Sequence, residues 1–443
     1  METLVKTPID YNIVKQKIEE SNLKSVGNAS IREILALINN IEKETGTKFI
    51  RMEMGIPGLP ASEIGIEAEI KALKSGIANK YPNIEGIPEL KKEISRFVKL
   101  FLNIEVSPKW CIPCTGSTNG SFISFIATSH INKNRSATLF LDPGFPVHKQ
   151  QLKVLGIPQK SLDVYEYRGD KLKPRLEEIL SGGDVSTILY SNPNNPTWIC
   201  FTDKELKIIG ELSMKYDVIV LEDLAYFNMD FRKDYAHPGK APYQPTVANY
   251  TDKYILLISS SKIFSYAGQR IGAVAISEKL AKTNSPDLLE YFGSENFGHS
   301  FVYGAAYAVS AGVTHSTQYA LAALLKAVNE CKHSFIDEVK VYGRRAKKMK
   351  KMFLDNGFKI VYDEDDGEPI ADGFYFTVAY PGYTGSQLVE ELIYYGISAI
   401  SLSNTGSLRK EGIRACVSLV ADEQLPELEN RLMLFDENHK DAR

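Results

Sequence analysis

Short apolar runs rich in β-branched and aromatic residues recur through the middle of the chain, each bounded by polar turns. The pattern predicts strands over residues 137–142, 185–190, 217–222, 254–259 and 271–276. Helix-like segments lie between them, such as Asp203–Tyr216. This alternation argues for a mostly parallel, doubly wound sheet. Residues 334–356 read as a long, basic, amphipathic helix, followed by short strands around 374–379 and 413–419, a pattern that fits a smaller α+β domain. The N-terminal stretch of about 60 residues lacks the βα alternation and is expected to pack with that second domain.

In open α/β sheets ligands bind at the carboxyl ends of the strands, so the residues just past each strand carry the search. After 185–190 comes Ser191-Asn192-Pro193-Asn194-Asn195-Pro196-Thr197, after 217–222 comes Asp223-Leu224-Ala225-Tyr226, and after 254–258 comes Ser259-Ser260-Ser261-Lys262. The run 111–115 ends in Gly116-Ser117-Thr118-Asn119-Gly120, which opens an apolar helical stretch. Four polar strand ends of this composition point to one composite site.

The chemistry follows from residue type. Lys262 is a solvated surface charge or a reactive amine; desolvation and nearby cations favour the amine, which forms an imine with an aldehyde. Arg270 offers a planar fork for a phosphate, Ser259 and Ser261 supply hydroxyls, and Ser117 and Thr118 sit at a helix start suited to an anion. Asp223 is a turn residue or a carboxylate that keeps a pyridine nitrogen protonated. Asn195 and Tyr226 can reach a ring hydroxyl, and Phe145 can stack on a flat ring. Arg414, flanked by apolar residues, needs an anion, either a ligand or a structural carboxylate.

Composition narrows the partners. The chain has 443 residues, a net charge of −3 and no long run of one sign, which argues against nucleic acid or a membrane surface. No apolar stretch approaches a membrane span, and the N-terminus shows no signal-peptide core, so a cytoplasmic protein is expected. The five cysteines do not suggest a disulfide framework, and Cys111-Ile112-Pro113-Cys114 lacks the second ligand pair a zinc site needs; no metal is expected.

Lys262 with Ser259, Arg270 and Gly272, the Asn194-Asn195-Pro196-Thr197 run, and Asp223 with Tyr226 together resemble the pyridoxal-phosphate (PLP) aminotransferases of class I and II, fold type I. The resemblance runs from about Met54 to Leu419. It implies a three-layer α/β PLP-binding domain with a mostly parallel sheet at 71–325, a smaller α+β domain at 326–443, and an N-terminal arm at 1–70 that joins the smaller domain. It implies a homodimer with shared sites, acting on an amino acid and a 2-oxo acid by ping-pong chemistry. Lys262 would carry the imine to the cofactor and move the proton. Asp223 would pair with the pyridine nitrogen. Asn195 and Tyr226 would bond the ring oxygen, and Ser117, Thr118, Ser259 and Arg270 would hold the phosphate. Tyr81 resembles the tyrosine that reaches the partner subunit's phosphate; Arg414 and Gly55 resemble the residues at the substrate carboxylate. Trp198 stands where the family usually has glycine, and Leu224 where an acidic residue is common, which puts the subgroup and substrate in question. A PLP-dependent carbon–sulfur lyase or decarboxylase is the alternative on the same fold. The aromatic segment 291–304 fits a pocket lining or a dimer contact.

Overall fold

The structure is a computed structural model and describes residues 6–442. The stretch read as lacking a signal-peptide core begins at residues 1–5, outside the described residues. Strand β1 (Ile50–Arg51) precedes the large sheet, which is built from β2 (Cys111–Cys114), β3 (Ala137–Asp142), β4 (Gln159–Asp163), β5 (Val185–Ser191), β6 (Ile219–Leu224), β7 (Tyr254–Ser259) and β8 (Gly272–Ile276). Their order is β2-β8-β7-β6-β5-β3-β4. The pairs from β4 across to β7 are parallel, and β8 runs antiparallel to both β7 and β2. Except for β4, whose first three residues are partly or fully exposed, every strand of this sheet is buried along its length. Burial on both faces explains why these strands read as continuous apolar runs rather than as alternations.

Several boundaries differ from the sequence reading by one to three residues, and two of them have a visible cause. Asp217 does not open a strand; it caps the helix Asp203–Tyr216 in the left-handed conformation, φ 57°, and β6 starts at Ile219. The last strand stops at Cys416 rather than Leu419, because beyond it the Val417 N–H turns to the Phe374 carbonyl.

The C-terminal part contributes β9 (Lys359–Ile360), the hairpin pair β10 (Glu364–Asp365) and β11 (Glu368–Pro369), β12 (Tyr375–Ala379), β13 (Ile397–Ser398), β14 (Ile400–Ser401) and β15 (Ile413–Cys416). The sheet β14-β15-β12-β9 is antiparallel, with Thr377 opposite Arg414 and Tyr375 opposite Cys416. The helix Phe335–Asp355 backs it. Ser334 caps this helix, and its buried stripe runs through Val339, Tyr342, Ala346, Met349 and Phe353 at helical spacing. The N-terminal segment joins this unit: β1 pairs in parallel with β13, and the Cys416 N–H donates to the Met52 carbonyl at 3.0 Å. That seam carries Gly55 towards the large sheet.

Ion pairs lock the hairpin to the large sheet. Arg168 bonds Glu205 through two nitrogens at 2.6 and 2.8 Å and Asp365 at 3.0 Å, and Asp365 also meets Arg232 at 2.9 Å. Among the described residues no helix is long and apolar enough to cross a membrane.

Candidate active site

The parallel register sets Ser191 beside Asp223 and Asp223 beside Leu257, so the ends of β5, β6 and β7 share one edge. At the end of β7 the chain makes a single helical turn, Ser260–Ile263. The Ser259 hydroxyl accepts the Ser261 N–H at 3.2 Å, and Ser260 donates to the Ile271 carbonyl at 2.6 Å. The turn is therefore pinned on both sides, and Lys262 leaves it at a fixed point. Its amine donates to the Gly55 carbonyl and lies 5.4 Å from the centre of the Phe374 ring. Burial lowers the Lys262 pKa to about 8, and the Arg414 and Arg270 charges push the same way.

Asp223 is 5% exposed, and among the described residues no lysine or arginine pairs with it. Its carboxylate accepts the Ala225 N–H at 3.1 Å, and His148 Nε2 stands 3.9 Å away. Burial pushes Asp223 up to about 7 and holds His148 down at about 4, so the imidazole is neutral near pH 7 and leaves the carboxylate without a counter-charge. Phe145, half-buried, meets the His148 ring edge-on at 5.4 Å.

The loop after β5 divides its two asparagines. Asn194 is internal: its amide donates to the Pro143 carbonyl at 2.8 Å, and its oxygen accepts from Thr197. Asn195 turns to the site, where its oxygen accepts from Arg414 Nη1 at 3.3 Å. Arg414, 2% exposed, also donates to the Glu53 carbonyl at 2.6 Å, while its Nε has no partner. Among the described residues no carboxylate pairs with this guanidinium, so a buried charge stands ready for an anion.

A second cation marks the other end. Arg270 is exposed, takes a left-handed φ of 50°, and donates to the Ala267 carbonyl at 2.9 Å. It lies against Gly116 so closely that a Cβ there would sit 2.5 Å from Nη2. Gly116 immediately precedes the helix Ser117–Ser129, and its carbonyl accepts the Asn119 and Gly120 N–H groups at 2.9 and 3.2 Å, which leaves those of Ser117 and Thr118 at the open end of the first turn. Ser117, Thr118 and Arg270 thus meet at one corner whose donors are of the kind that suit an anion.

Tyr226 is buried, and its hydroxyl bonds the Tyr375 hydroxyl at 2.7 Å. Trp198, fully buried with φ 70°, packs edge-on against Tyr226 at 5.2 Å and Tyr375 at 6.1 Å. Its indole fills the space over Gly373, where a Cβ would lie 1.9 Å from Cε2. Leu224 is fully buried at the end of β6. Tyr81 stands apart from this cluster, 95% exposed. Tyr291 meets the His130 ring at 4.0 Å, with the two planes tilted by 53°. His130 ends the helix that begins at Ser117, roughly 20 Å away along its axis. Tyr291 therefore does not line the site.

Sequence reasoning missed Tyr375, Phe374, His148 and Cys416. Strand alternation held the signal for two of them: Tyr375 and Thr377 share a face, and opposite them stand Cys416 and Arg414. His148 carries no such signal, since only the fold brings the helix Pro146–Leu155 beside Asp223.

Comparison with known proteins gives the family. The chain is 24% identical over 342 residues to the probable aspartate aminotransferase of Methanocaldococcus jannaschii, covering 77% of this chain and 80% of that relative. It is 24% identical over 265 residues to the aspartate aminotransferase of Bacillus subtilis, covering 57% of this chain and 64% of that relative. Its fold superposes on the alanine aminotransferase from Pyrococcus furiosus with a TM-score of 0.74 at 20% identity, over 92% of this chain and 96% of the other. A double mutant of Thermus thermophilus aspartate aminotransferase gives 0.72 at 16% identity, over 96% and 98%. These neighbours share the α/β fold of the fold type I aminotransferases. The family model for aminotransferase class I and II matches residues 48–432, a span that holds every residue of the cluster around Lys262, and the chain belongs to that family of enzymes.

Proposed function

We propose that the protein binds PLP at Lys262 and moves an amino group between an L-amino acid and a 2-oxo acid. The observation that carries this is Asp223: a buried carboxylate with no lysine or arginine partner among the described residues, at the same sheet edge as a lysine of lowered pKa. The donor set fits the cofactor at each end. A pyridinium N–H supplies the charge Asp223 lacks, and a phosphate suits Arg270 with the Ser117, Thr118 and Ser259 corner. Asn195 and Tyr226 suit the ring oxygen, and Phe145 a ring face. When bound, PLP supplies an electron sink for negative charge at the substrate α-carbon.

The chain's own groups do the rest. Arg414 holds the substrate carboxylate, with Gly55 leaving room beside it. Lys262, neutral for part of the time near pH 8, takes the α-proton and returns it to the acceptor carbon. Asp223 keeps the ring nitrogen protonated. Enclosure by Trp198, Phe374 and Tyr375 limits water at these atoms.

A second copy of the chain completes the assembly. Ile70, Leu73, Tyr81, Tyr303 and Tyr307 are all exposed, and the helix Glu63–Lys74 with the following loop presents the first three. A homodimer covers this face and takes Tyr81 to the partner's phosphate corner. We assign the N-terminal arm to 1–70, the cofactor-binding part to 71–325 and the smaller part to 326–443, and place the protein in the cytoplasm. Relatives named for aspartate put acidic amino acids first among donors to test.

The test is the absorption spectrum of the purified protein during addition of single amino acids. A visible band that bleaches with an amino acid and returns with a 2-oxo acid is expected. Colourless protein that takes up no added PLP overturns the reading, and ammonia release with no oxo-acid requirement indicates a lyase instead. Arg414→Ala is expected to keep the visible band and lose ~100-fold or more in kcat/KM, mainly through KM, because it removes one side of a buried charge pair. Steady-state kinetics with the best donor check this.

A further inference from the structure

We propose that Tyr375 is a positioning residue acting through Tyr226: its hydroxyl donates to the Tyr226 oxygen and strengthens Tyr226 as a donor to the ring oxygen of bound PLP. This rests on the reading that Tyr226 meets that oxygen. Among the described residues each of the two hydroxyls has the other as its hydrogen-bond partner, at 2.7 Å, and both rings are buried. A hydroxyl carries one proton and two lone pairs. Once Tyr226 commits its proton to the ring oxygen, it has none left for Tyr375. The 2.7 Å bond then has one polarity, with Tyr375 the donor. Bonds in such a chain polarise one another, so each strengthens the next.

Tyr375 is held for this task. The Arg414 guanidinium lies 4.5 Å over its ring, and Trp198 meets its edge at 6.1 Å. Its hydroxyl sits against Gly55, where a Cβ would come within 2.0 Å of the oxygen. The charged and titratable groups that act on the pair are Arg414 and Cys416, both from β15. Burial keeps both tyrosines and the Cys416 thiol protonated, while the Arg414 charge favours proton donation by Tyr375. The residue that grips the substrate carboxylate therefore also polarises the hydroxyl behind Tyr226.

The experiment is a pH titration of the visible band of PLP-loaded protein, for wild type, Tyr375→Phe, Tyr226→Phe and the double variant. A donor to the ring oxygen stabilises negative charge there, and that charge is least compensated once the lysine linkage has lost its proton. Weakening the donor therefore raises the titration midpoint. Tyr375→Phe is expected to raise it by about 0.5–1 pH unit, the worth of one neutral hydrogen bond. Tyr226→Phe is expected to raise it further, and the double variant to match Tyr226→Phe alone. An unmoved midpoint in Tyr375→Phe beside a shifted Tyr226→Phe overturns the proposal and leaves the role of Tyr226 standing. A double variant that shifts by the sum of the singles overturns it too, because Tyr375 then acts independently. No shift in Tyr226→Phe removes the underlying reading along with the proposal.

Discussion

Lys262→Ala is expected to abolish transamination, with a loss of ~10⁴-fold or more in kcat, since one substitution removes both the covalent anchor and the proton carrier. Transamination by this variant near the wild-type rate would exclude Lys262 from the chemistry. The same substitution has a separate signature in cofactor-free protein. The folded-state pKa is lowered to about 8 from the ordinary 10.5. Below about pH 8 the amine is protonated both folded and unfolded, and the cost of burying its charge is fully present. Between those two values the unfolded chain binds more protons than the folded one, so stability rises with pH as that cost falls away. Cofactor-free Lys262→Ala should therefore unfold at a higher temperature than wild type at pH 7, and the gap should close through pH 8–10. A gap that is constant with pH would mean the amine is not desolvated.

The fold was legible where local chemistry dominates. The strands Ala137–Asp142 and Tyr254–Ser259 match the sequence expectation at both ends, because each is an apolar run closed by a polar turn. The helix Asp203–Tyr216 does so as well, with Thr202 and Glu205 forming a capping box that marks its start. The candidate site was legible to the extent that its residues follow strands. Lys262, Asp223 and Asn195 do, and the parallel register gathers the strand ends. What could not be read are contacts between distant segments. Arg414 donates to the Glu53 carbonyl, and Lys262 to the Gly55 carbonyl, only because the N-terminal stretch is sewn to the small sheet.

Trp198 shows the same limit. As sequence it was a departure from the family pattern. In the structure it and Gly373 form one unit: the indole occupies the volume that any side chain at 373 would need. Its φ of 70° is one a glycine adopts without strain, so the indole holds its place against a backbone preference. The unit backs the Tyr226–Tyr375 pair.

Asp223→Asn is expected to keep the cofactor linkage and its visible band while lowering kcat by ~10²–10³-fold, the scale of one lost charge-stabilising contact in a dry site. An amide has the shape of the carboxylate without its charge, and nothing nearby replaces that charge. His148 Nε2 stands 3.9 Å from the carboxylate, and burial keeps the imidazole neutral. A stability measurement separates this from a packing defect. Asp223 has its folded pKa raised to about 7 from 3.8, so in cofactor-free protein the folded state binds the extra proton between those values. Stability falls as pH rises through that window, and the cost is fully present above it. Asp142 and Glu222, also raised by burial to about 6 and about 7, act in the same direction, so the difference between wild type and Asp223→Asn isolates one carboxylate. The variant should gain on wild type as pH rises from about 4 to about 7. Loading wild type with PLP should erase most of that gain, because a pyridinium N–H supplies the missing counter-charge. If loading leaves the pH dependence unchanged, Asp223 does not face the ring nitrogen, and the buried carboxylate needs another partner.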